Sequence, residues 1–183
     1  MLSNLEYKSM VEAAEKGEIL VGVDRALARK LFTETKNRFR EFESIINESL
    51  RLQRAISLIA FVSSPILVLL TSILAIIALG WWALLGVPII FFIWLYYISL
   101  SVRGGAGLKA ISFFVIFAIL IFVANPFLWN IQYLFLLPFI ISLWLERFLY
   151  CYTTHQLRTL VLRNKKAYEL FKNGIIIRNV LSL

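Results

Sequence analysis

Cys151 and His155 lie four residues apart and share one face of any helix that carries them. Thiolate and imidazole are both metal ligands, yet a structural zinc site wants four such groups and no acidic cluster supplements these two. No metal and no cofactor are expected. Glu146 and Arg147 form the other ionisable group, an ion pair within the chain or between subunits. His155 follows with seven intervening residues, and no nucleophile–base arrangement results. The chain is not expected to be an enzyme.

Ser57, Ser64 and Thr71 recur at intervals of seven and form one stripe of small hydroxylated side chains. Two roles suit such a stripe. Small residues let helix backbones approach closely, and hydroxyls facing a shared axis line a polar pathway through an oligomer. Arg103, Lys109, Arg158, Arg163, Lys165 and Lys166 are the candidate contacts for anionic lipid headgroups, each such charge near a membrane surface being worth about 1 kcal/mol. The loop at 103–109 carries three glycines but lacks the Gly-Lys-Ser/Thr ending of a phosphate cradle. Nucleic-acid binding calls for aromatics interleaved with the basic residues on an open surface, and is not expected.

The elements that must position these residues are dominated by apolar sequence. Of 183 residues 60% are hydrophobic, against about 45–50% in soluble domains. Stretches 55–102 and 110–145 contain no charged side chain. A membrane-spanning helix needs about 20 apolar residues, so each stretch has room for two. The sequence therefore predicts an all-α integral membrane protein with four transmembrane helices at about 55–79, 83–102, 108–123 and 127–146. Gly80-Trp81-Trp82 and Asn125-Pro126 make the outer turns, and Pro65, Pro88 and Pro138 fall inside three of the spans. No ionisable residue lies at mid-depth, which leaves an ion-coupled carrier without its usual carboxylate.

The domain division is 1–54, 55–147 and 148–183, the outer two being amphipathic, helical and cytoplasmic. In the first, Ser3 and Glu6 fit a capping box, Gly17 a left-handed helix end, and Asp24 the cap of one helix over 25–54. Leu27, Leu31, Phe39, Phe42, Ile46 and Leu50 give that helix an apolar stripe, packed on the other cytoplasmic helix or on a second subunit. Arg38, Arg40, Glu41, Glu43, Arg51 and Arg54 supply the wet face. The fourth span runs on as one helix to Phe171, with Tyr168 and Phe171 in the core of the cytoplasmic bundle. Glu18 to Val23 and Ile175 to Val180 are short aliphatic runs, each following a helix end, a lysine and a glycine. They are predicted to pair as one small two-stranded terminal sheet, within the chain or between subunits.

All 19 Lys and Arg fall in 1–54, 103–109 or 147–178, and both expected outer turns are uncharged. Basic residues flank spans on the cytoplasmic side, so both termini are placed in the cytoplasm of a bacterial inner membrane. One cysteine excludes an intrachain disulfide, and no apolar leader opens the chain. The expected function is an oligomeric membrane scaffold, or a component that offers a cytoplasmic platform to a protein partner. The alternative is an oligomeric channel lined by Ser57, Ser64 and Thr71.

Overall fold

The computed structural model describes residues 4–103 and 135–179. Two compact units divide the chain: Met1–Ser57 with Cys151–Leu183, and Leu58–Tyr150.

The first unit is built from both ends of the sequence. Helix α1 (Asn4–Glu15) ends in a Schellman motif, with Gly17 at φ 75, Glu18 N–H donating to Ala13 O and Gly17 N–H to Ala14 O. Strand β1 (Ile19–Val23) follows. Asp24 caps α2 (Arg25–Thr33) by accepting from Leu27 N–H at 2.8 Å. The single helix expected over 25–54 is three. Two threonines, poor helix formers, flank an extended Glu34, and Thr33 turns its hydroxyl back on Arg29 O. The chain restarts as α3 (Lys36–Ile46), which closes at Asn47 in the left-handed conformation, φ 57. The Glu43 carboxylate then accepts from Leu50 N–H at 2.6 Å, just before α4 (Arg51–Leu79).

The other end of the sequence closes this unit. Helix α6 (Leu136–Arg163) does not run on to Phe171 as expected. Asn164 is extended and accepts from Lys166 and Ala167 N–H, which ends α6 and caps a separate α7 (Lys165–Phe171). Phe32, Phe39, Phe42, Ile46 and Leu50 pack with Leu157, Leu160, Val161, Ala167 and Tyr168 in one core, so the N-terminal stripe is buried on the C-terminal helices of the same chain. Phe171 adds an edge-on contact to Phe42. Strand β2 (Ile175–Asn179) pairs antiparallel with β1, Ile19 opposite Asn179 and Val23 opposite Ile175. The two expected strands therefore do form a sheet, and they do so within one chain. Val21 and Val23 face inward, while Leu20, Ile176 and Arg178 face water.

In the second unit, α4 gives way at Gly80 (φ 69) to a 3-10 turn, Gly80–Trp82, and then to α5 (Ala83–Arg103). The turn reverses the chain: Trp94 on α5 reaches Ser64 on α4, two positions nearly equidistant from Gly80. Tyr97 and Leu143 are the buried centre of a cluster with Trp94, Leu100, Phe139 and Ile140, so α6 joins the pair.

The expected set of four transmembrane helices is overturned. Among the described residues, one helical run, Arg51–Val102 of 52 residues, is long and apolar enough to cross a membrane. The expected third span, the Asn125-Pro126 turn and the start of the fourth lie outside the described residues. The described apolar part of the fourth, 136–145, is about 15 Å long at 1.5 Å per residue, half of a bilayer's hydrocarbon core of about 30 Å. Beyond it the helix enters charged sequence. An uncharged stretch reports hydrophobicity, and does not by itself divide the chain into crossings.

Candidate functional site

Two polar constellations are assembled from distant sequence, one in each unit. In the terminal unit, helix ends converge. The last carbonyls of a helix have no partner within it, and two such carbonyls are satisfied from elsewhere in the chain. The Tyr7 hydroxyl donates to Val161 O at 2.8 Å, near the end of α6. Asn164 Nδ2 donates to Ile46 O at 2.8 Å, at the end of α3. Lys165 Nζ meets Asn4 Oδ1 at 2.6 Å and Glu169 at 3.8 Å. Burial pushes the Tyr7 phenol above its ordinary value of 10. Arg54 was expected on the wet face. Instead it lies over the Phe39 ring, 5.1 Å from its centroid, and donates to Glu34 O at 2.9 Å. Its long stem covers apolar surface while the head group finds a carbonyl.

In the second unit Ser64 is fully buried. It accepts from Trp94 Nε1 at 3.1 Å and donates to Ser142 O at 3.3 Å, joining three helical segments through one hydroxyl. Although Pro65 follows it, Ser64 gives its proton to α6 rather than to a carbonyl of its own helix. Thr71 is buried and bonds Leu67 O on its own helix; Ser57, buried in the terminal unit, likewise bonds Gln53 O. All three side chains of the stripe are thus buried within this chain. Trp94 and Ser142 were not singled out in the sequence, although Trp94 mirrors Ser64 across Gly80, the one signal that pointed to it.

The remaining candidates are dispersed. Glu146 is buried, at 1% exposure. Cys151 and His155 are both exposed on α6, and no group of three or more metal-ligating side chains occurs among the described residues. Among the basic candidates, Arg158, Arg163 and Lys166 are exposed, while Lys165 is half-buried and engaged with Asn4 and Glu169. The side chain of Arg103, and Lys109 altogether, lie outside the described residues.

Known proteins give no guide. No family model, curated protein or solved structure matches this chain. Function must come from its own surfaces, and two stand out. One is the apolar exterior of Arg51–Val102, only 28% of whose most apolar window is buried. Ile59, Ile66, Ile77, Leu85 and Phe92 are each more than half exposed there. The other is the outward face of the β1–β2 ribbon. A cavity of about 310 Å³ is lined there by residues 20–23, Ile176, Arg158 and Arg178.

Proposed function

We propose that this chain is a membrane-anchored protein that presents its terminal unit to a protein partner on the cytoplasmic side of a bacterial inner membrane. The observation that carries the proposal is the exposure of Arg51–Val102. The central helix of a soluble domain is mostly buried, whereas this run turns large aliphatic and aromatic side chains outward over its length. Contiguous apolar surface on that scale marks a membrane or an extensive interface. Trp81 and Trp82, both 82% exposed at the turn, suit the headgroup level of a bilayer.

The terminal unit supports the platform role. That Met1–Ser57 and Cys151–Leu183 belong to one compact unit supports putting the two segments on the same side of the membrane. The basic residues flanking the apolar stretches favour the cytoplasm. Exposed Arg158, Arg163 and Lys166 suit anionic lipid headgroups at that surface, and association of several copies would multiply the platform. A channel lined by Ser57, Ser64 and Thr71 is not favoured, since all three side chains are buried.

Cys151 is the sole cysteine and is exposed, which makes it a native topology reporter. The protein is expected to resist alkaline carbonate extraction, and a membrane-impermeant maleimide is expected to label Cys151 in inverted vesicles but not in intact spheroplasts. Release by carbonate would overturn the anchor, and labelling in spheroplasts would overturn the cytoplasmic placement. Native mass spectrometry in detergent reports the oligomeric state.

A further inference from the structure

Residues directly opposite each other in an antiparallel pair point to the same face of the ribbon. Leu20 stands opposite Arg178 and Gly22 opposite Ile176, so these four share one face. Val21 and Val23 take the other face and are buried. On the shared face Leu20 and Ile176 are 44% and 52% exposed, and Gly22 adds no side chain to it. Arg158 comes from a different element, α6, whose Leu157, Leu160 and Val161 are held in the core. It lines the same cavity of about 310 Å³ as Leu20, Ile176 and Arg178. Two arginines from separate elements therefore meet over an aliphatic floor.

Charge and oxygen count define what fits. Among the described residues no Asp or Glu lines the cavity, and neither guanidinium has an ion pair. Segment 151–183 as a whole holds six basic residues against one acidic residue, Glu169. Two like charges on one cavity repel, and an anion held between them turns that repulsion into attraction. A guanidinium presents its N–H donors as a fork, and a single fork occupies both oxygens of a carboxylate. A phosphate monoester has three terminal oxygens and a charge of about −1.5 to −2 at pH 7, enough for two forks.

We propose that Arg158 and Arg178 form one binding site for a phosphate monoester with an apolar body, the phosphate bridging the guanidiniums and the body lying on Leu20 and Ile176. The volume of about 310 Å³ falls at the lower end of small-ligand sites, about 300–1,000 Å³, and leaves room beyond the phosphate itself. Two sources share this chemistry: a soluble phosphorylated molecule, and phosphatidic acid, a lipid whose headgroup is a monoester. The site goes beyond the platform role and gives Arg158, taken above as a general lipid contact, a defined partner in Arg178.

The test is the rate at which phenylglyoxal modifies each arginine of the full chain in phosphatidylcholine nanodiscs, read by mass spectrometry. Arg163 is the internal control, since it is exposed on α6 and does not line the cavity. Hexyl phosphate at about ten times its dissociation constant should slow modification of Arg158 and Arg178 together about tenfold, and leave Arg163 unchanged. Inorganic phosphate should need about tenfold more, because it leaves the floor uncovered, and hexanoate should protect neither arginine. Protection by soluble hexyl phosphate in phosphatidylcholine identifies the soluble source. Protection that is already present in phosphatidic acid nanodiscs, and absent from phosphatidylglycerol nanodiscs, identifies the lipid source. Two variants check that the arginines act as one site, with melting temperatures showing that the unit remains folded. Arg178→Gln should abolish protection of Arg158. Leu20→Glu keeps both arginines but sets a carboxylate opposite Arg178, and should abolish protection as well. Protection of only one arginine, equal protection of Arg163, hexanoate or phosphatidylglycerol acting as well as the monoesters, or protection of Arg158 that survives both variants would overturn the proposal. Carbonate resistance and Cys151 labelling do not involve the cavity, so the anchored topology stands or falls separately from it.

Discussion

Tyr7 and Val161 are joined by a hydrogen bond of 2.8 Å across 154 positions of sequence, hydroxyl to backbone carbonyl. The bond belongs to the α6 terminus as much as to α1. Because α6 ends at Arg163, the Val161 carbonyl lies among the last four of its helix, where the ladder supplies no donor. One phenol thus fastens the N-terminal helix to the helix that enters from the other unit, and its ring stays beside Tyr168 at 5.7 Å.

Replacing Tyr7 with Phe keeps the ring and leaves a buried carbonyl without its donor, a loss of about 1–3 kcal/mol. Thermal denaturation of the full chain in detergent should show the lower stability. The pH dependence is a sharper test. Burial raises the phenol, so its contribution is complete below the unfolded value near 10 and is lost as pH climbs through the higher folded value. The stability gap between wild type and Tyr7→Phe should be constant from pH 7 to 9 and shrink above 10. A gap that widens with alkali would contradict the assignment.

Asn164 serves two helix ends at once, capping α7 through Oδ1 and closing α3 through Nδ2. Asn164→Ala should lose both, roughly 2–4 kcal/mol from a cap worth about 1 and a stranded carbonyl worth about 1–3. Asn164→Asp keeps the acceptor and loses only the donor to Ile46. It should therefore fall between wild type and alanine in a denaturant midpoint series. Equal losses for the two variants would mean that the cap carries nothing.

The terminal sheet was legible because its cues are local: a helix end, Lys16-Gly17 or Lys172-Asn173-Gly174, and an aliphatic run on each side. Asp24 and Gly17 were legible for the same reason, each being tied to neighbours within a few residues. Asn164 was not, since its neighbours Arg163, Lys165 and Lys166 suggested a charged surface and the periodic leucines continued past it. The break at Glu34 was hidden likewise, in a stripe whose gap between Leu31 and Phe39 marked the place. Neither the Ser64 contact to Trp94 nor the burial of Arg54 on Phe39 has a short-range signature. Charge-free stretches registered hydrophobicity, while the division of the first of them into two helices depended on Gly80.

Ser64 couples two helices through Trp94, and the size of that coupling separates packing from pore lining. In a double-mutant cycle of Ser64→Ala and Trp94→Phe, a packed contact should show an interaction of about 0.5–1.5 kcal/mol. Ser64→Leu should destabilise by about 1–3 kcal/mol through overpacking, with no change in ion flux through liposomes. Flux that appears with wild type and disappears with Ser64→Leu in an otherwise stable protein would restore the pore.

Gly174 sits where the turn before β2 presses on α2. A Cβ built there would lie 2.5 Å from Leu27 Cδ2, and the Gly174 carbonyl accepts from Asp24 N–H at 2.8 Å. The space is closed by one methyl of a leucine rather than by backbone, so the leucine can swing aside at a cost. Gly174→Ala should destabilise the terminal unit by about 1 kcal/mol, and Gly174→Val by more, as expected for an overpacked contact. Leu27→Ala removes the offending methyl. In that background the penalty of Gly174→Ala should largely vanish, although Leu27→Ala has a cost of its own. The cycle is read from melting temperatures of the four proteins. A penalty that persists without the leucine would trace the need for glycine to the backbone of the turn instead.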